Sequence, residues 1–143
     1  MKEKNDNITI AINTIVDVIT DNQIKDVEQL YIKATNFRND VSKMLAKELA
    51  NENCSPEQYN KIAILYEDAC EHLRKINIEL SILRCKKQQT AITNNIIMLD
   101  KAIKWANETK NIPAIRCLEN DKEMAKDALE SITTKIKKLE NKR

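Results

Sequence analysis

Not one of the 143 residues is glycine. Glycine is the usual occupant of positive-φ turns, of tight hairpins and of the loops that wrap phosphates, so its absence argues against P-loop and dinucleotide-binding folds and against sheets joined by tight turns. Proline occurs twice, at Pro56 and Pro113. Asparagine, which is abundant here, can also occupy left-handed positions and is left to close any sharp corner. What remains is a chain suited to long, uninterrupted helices.

The apolar pattern agrees. Tyr59, Ile62, Tyr66, Ala69, Leu73, Ile76, Leu80 and Leu83 recur at steps of three and four over four heptads, the spacing of extended helix-to-helix packing. With 42% apolar residues and 3% aromatics, the core is expected to consist of Ile, Leu, Val, Ala and Met. Ser55, Pro56 and Gln58 form a capping box with proline at the first helical position, which marks a helix start. The segment Thr109 to Pro113 marks a second break, and the last helix runs to about Leu139 along Ile115, Leu118, Ala125, Leu129, Ile132, Ile136 and Leu139, with Lys122 the exception.

Upstream, a first helix is expected over residues 7–20, with Ile8, Ala11, Ile12, Ile15, Val18 and Ile19 on one stripe. A second, capped by Asp21 or Asn22, runs to about Glu52 along Val27, Leu30, Ala34, Phe37, Val41 and Met44. The polar run Lys86 to Thr90 interrupts the central stripe, which resumes at Ile92, Ile96, Leu99, Ile103 and Ala106. Either a hairpin forms there, or one helix continues from Pro56 to about Glu108. The pattern therefore predicts a single all-α domain over residues 1–143: an antiparallel bundle of four to five long amphipathic helices, or an elongated form with a continuous central helix. The bundle is favoured, because short connections make antiparallel neighbours. The same seams also suit a homodimeric coiled coil.

Charge gives little direction. The net formal charge is +2, from 24 basic and 22 acidic groups, although residues 84–107 hold five basic side chains against one acidic. Arg84, Lys86, Lys87, Lys101 and Lys104 are thus candidates for contact with nucleic acid or acidic lipid, without the interleaved aromatics of a stacking platform. Trp105 and Tyr31 are the aromatic candidates for a protein partner, since large rings carry much interface energy. Trp105 is expected in the core unless the helix leaves it at the surface.

His72 is the single histidine, so no histidine cluster can hold a metal. Followed by Lys75, it resembles the phosphotransfer signature of four-helix histidine-phosphotransfer domains. That resemblance implies an imidazole that accepts a phosphoryl group and a lysine that balances its charge. Ile76 stands where that family usually has glycine. Glu67, Asp68 and Glu71 read as a solvated acidic face, paired with Arg74 and Lys75.

Cys54, Cys70, Cys85 and Cys117 are spaced by 16, 15 and 32, which matches no close-paired zinc or redox motif. Cys54, near a turn, is expected to be the most reactive. With no secretory h-region at the start and no apolar run of about 18 residues, an intracellular and cytoplasmic setting is expected. No catalytic, metal or cofactor constellation emerges. The expectation is a non-enzymatic protein-protein interaction or scaffolding module. A nucleic-acid or membrane-surface accessory protein and a phosphotransfer-like bundle are the alternatives.

Overall fold

Ser55 begins the central element as its residue types require. Its hydroxyl accepts from the Gln58 amide at 3.1 Å, and Pro56 follows at the first helical position, where no amide donor is needed. Asn111 does the same for the last helix, accepting from the Ala114 amide at 3.2 Å. The computed structural model describes residues 2–143, with side chains from residue 5 onward, and contains three helices. They are α1 (Lys2–Leu49), α2 (Pro56–Glu108) and α3 (Ile112–Glu140).

The expected bundle of four to five helices is therefore corrected to three. Asp21 caps nothing: its carboxylate pairs with Lys87 across the helices, and residues 2–49 form one rod. Nor is there a hairpin at 86–90, where α2 continues for 53 residues, about 80 Å at 1.5 Å per residue.

α2 continues through its polar run because it carries two seams rather than one. Ala69, Leu73, Ile76 and Leu80 are buried on one flank, where Ala34 of α1 closes a cluster with Leu73 and Ile76. Ile78, Ile82 and Cys85 are buried as well. Residues two apart on a helix point about 200° away from each other, so Ile78 and Ile82 lie on the flank opposite Ile76 and Leu80. This second seam runs on through Gln89, whose amide donates to the Thr133 hydroxyl of α3 at 3.1 Å. Residues 86–90 are where the apolar stripe passes from the flank facing α1 to the flank facing α3.

α1 and α3 both pack on α2 and make no contact with each other among the described residues. Each runs antiparallel to it. Asn13 meets Asn94 and Glu28 meets Arg84, while Lys122 meets Asp100 and Arg143 meets Glu79. The molecule is thus an elongated row with α2 in the middle. The α3 seam expected from Ile115 to Leu139 is buried or half-buried throughout, and Lys122 occupies its gap by pairing with Asp100.

Candidate interaction surface

The α1 seam that meets α2 has strict heptad spacing: Asp6, Ile10, Asn13, Asp17, Thr20, Ile24, Val27, Tyr31, Ala34, Arg38, Val41, Leu45 and Glu48 are all buried or half-buried. Its two halves differ in chemistry. From Ile24 onward it is mainly apolar. Before that it is mainly polar, with Asn13 donating to Asn94 at 2.8 Å, Lys101 donating to Asn7, and Lys87 paired with Asp21.

Ile8, Ile12, Ile15 and Ile19 each follow a member of that polar half by two residues, so they project from the opposite side of α1. Together with Val16 and Val18 they are 44–61% exposed. The stripe expected to enter the core is therefore outward. Helical phase explains this: an isoleucine stripe and a polar seam of equal period share the helix, and α2 takes the polar one because the inward second half of α1 fixes the rotation of the whole rod. Leu30, Phe37 and Met44, also expected in the core, are half-exposed for the same reason.

The basic candidates divide. Arg84 pairs with Glu28, Lys87 with Asp21, and Lys101 bonds Asn7, so three of the five lie across the α1 and α2 junction. Asp21 beside the Lys87 ammonium holds its pKa above the ordinary value. Lys86 and Lys104 are exposed on α2. Tyr31 packs against the Ala34, Leu73 and Ile76 cluster. Trp105 is 59% exposed rather than in the core.

His72 is exposed and lines a shallow groove with Val27, Leu30, Lys75, Glu79 and Arg143. Its neighbour Glu71 accepts two hydrogen bonds from Arg74, at 2.6 and 2.9 Å, which holds the carboxyl below the usual carboxylate range. Of the acidic face, Glu71 is paired with Arg74, while Glu67 and Asp68 are exposed to solvent. Among the described residues, no three of His, Cys, Asp and Glu gather to hold a metal ion, and no helix is long and apolar enough to cross a membrane.

The four cysteines are free. Cys54 is half-buried, and desolvation together with Glu48 pushes its thiol pKa up, the reverse of what a reactive thiolate requires. Cys117 is the exposed thiol, and Cys85 is buried.

No family model, curated protein or solved structure matches the chain. Geometry and surface chemistry carry the functional reading.

Proposed function

We propose that the chain is a non-enzymatic protein-protein interaction module, and that the outward isoleucine face of α1 is its docking element. One observation carries this reading: Ile8, Ile12, Ile15 and Ile19 stand in heptad register on the side of α1 away from α2. With Val16 and Val18 they expose roughly 500 Å² of apolar surface, at the upper end of what monomeric proteins leave to water. Patches of that size are often functional.

The helices supply the rigidity such a site needs. α1 is held along its length by α2, so the face is ordered before a partner arrives and little conformational entropy is lost on docking. Arg84, Lys87 and Lys101 are engaged across the helix junction, which leaves Lys86 and Lys104 as a thin basis for nucleic-acid or lipid contact. Four free thiols suit a reducing, intracellular setting.

A photo-crosslinking amino acid placed at Ile12, in cells, tests the reading. Covalent adducts larger than the free chain are expected from that position and none from Glu130, which is exposed on α3. If Ile12 gives no adduct, the face is not a docking surface.

A further inference from the structure

We infer that the partner of the α1 face is the same face on a second copy of this chain. The inference rests on the docking role just proposed and adds the identity of the occupant.

Spacing is the first ground. Ile8, Ile12, Ile15 and Ile19 are separated by four, three and four residues, the pattern in which side chains of one helix enter the holes of another. α2 already holds the inner seam of α1 in that same rhythm, so the outer seam is kept straight along the rod. A face built this way fits a helix with the same rhythm, and the nearest such helix is itself. Two copies related by a two-fold axis would use identical patches.

Charge is the second. The positions flanking the seam on either side are Thr9, Ala11, Val16 and Val18, none of them ionisable. Self-pairing often fails because like charges meet across the axis, and here no flanking charge stands within the seam to cause it. An anionic membrane fits less well. Neither the seam nor its flanking positions hold a lysine or arginine to meet lipid phosphates, while they do hold the apolar side chains that a second copy would cover.

Area is the third. Two faces of roughly 500 Å² each would remove about 1,000 Å² from water, the lower bound for a specific interface. The dimer is therefore expected to be of moderate affinity, forming in the micromolar range rather than as an obligate pair. That matches a chain whose three helices have their own buried core.

Sedimentation of the full chain across a dilution series from about 1 to 200 μM, set around a micromolar Kd, tests this. Twice the 16.5 kDa of one chain is expected at the upper end. The double variant Ile12→Glu, Ile15→Glu should sediment as one chain throughout, with its helix signal unchanged because both side chains face outward. Met124→Glu, at an exposed position on α3, should associate like the unaltered chain. Should the charged pair reduce helicity, Ile15→Ser carries the same expectation, a loss of at least about tenfold in association.

A chain that stays monomeric at every concentration overturns the inference, and so does a dimer that survives the double variant. The crosslink at Ile12 separates the two readings. Adducts to a different protein alongside a monomeric chain leave the docking role standing and remove self-pairing. Neither adducts nor dimers would remove both.

Discussion

Ile82 is 1% exposed and sits on the α3-facing flank of α2, a position whose side chain touches protein on nearly every side. Truncation there leaves a cavity that long helices close poorly, so Ile82→Ala is expected to cost about 2–5 kcal/mol. Ile15, 61% exposed, makes no comparable contact, and Ile15→Ala should stay within about 0.5 kcal/mol in the monomer. Urea titrations of the two variants, run at a concentration where the chain is monomeric, check the contrast. A large cost at Ile15 under those conditions would place its side chain inside the fold. Single ion pairs act on a smaller scale, because every one of the bridges is partly open to water and exposed pairs contribute little.

The pH dependence of those pairs follows from their directions. Glu71 is held below its ordinary value by Arg74, so its contribution is present above the unfolded value of about 4.3 and disappears as acid protonates the folded form. Lys87 is held above its ordinary value by Asp21, so its contribution is complete below about 10.4 and is lost as the pH rises through the folded pKa. Cys54, whose pKa is raised, adds a loss that begins above the unfolded thiol value of about 8.5, so these groups leave the melting temperature flat only between about pH 4.3 and about pH 8.5. Lys87→Met should flatten the upper part of the alkaline fall, above about pH 10, and leave the acid limb in place.

At the scale of elements, the corner between α2 and α3 shows what a chain without glycine must accept. Lys110 takes φ 57°, the left-handed conformation that glycine adopts freely. For a side chain with a Cβ this costs roughly 1–2 kcal/mol, while glycine in its place would add about 0.5–1 kcal/mol of unfolded-state entropy. Lys110→Gly is accordingly expected to stabilise the protein by up to about 1 kcal/mol, seen as a rise in the urea midpoint without a change of slope. The opposite substitution effect belongs to Ser55→Ala, which removes the cap of α2 and should cost about 1 kcal/mol.

The starts of α2 and α3 were legible because caps are local chemistry, announced by Ser55, Pro56, Asn111 and Pro113 within a few residues, whereas Asp21 and Asn22, equally good capping types, lie inside the unbroken α1. The α3 seam was equally legible, since one helix faces one neighbour. What the sequence obscured was which of two overlapping patterns meets the neighbour. Asp6, Asn13, Asp17 and Thr20 have the right period but polar side chains, and the isoleucines beside them have the same period and apolar ones. Hydropathy alone selects the isoleucines. The answer lies some twenty residues away, where Ile24, Ala34 and Val41 lock the rotation of α1. Likewise Ile76, Ile78, Leu80 and Ile82 alternate apolar and polar as a strand would, and become intelligible once α2 is seen to have a neighbour on each flank. The outward seam was thus visible in the sequence, but its exposure was not.

For the whole molecule, the decisive feature is that α1 and α3 stay apart on opposite flanks of α2. A closed bundle would place the two seams of α2 close together on one side, whereas Ile76 and Ile78 are nearly opposed. In either arrangement the overall length is set by the 53 residues of α2, about 80 Å, because they form one continuous helix, rather than by the compact scaling that gives a radius of gyration near 15 Å for this many residues. A rod of that length has a radius of gyration of about 23 Å, and small-angle scattering of the Ile12→Glu, Ile15→Glu variant should return a value near it. The charged variant matters because it separates the shape of one chain from any pairing of two. A radius near 15 Å would mean that α2 breaks and folds back on itself, as a hairpin at residues 86–90 would require, and the α1 face would then no longer lie along one straight rod.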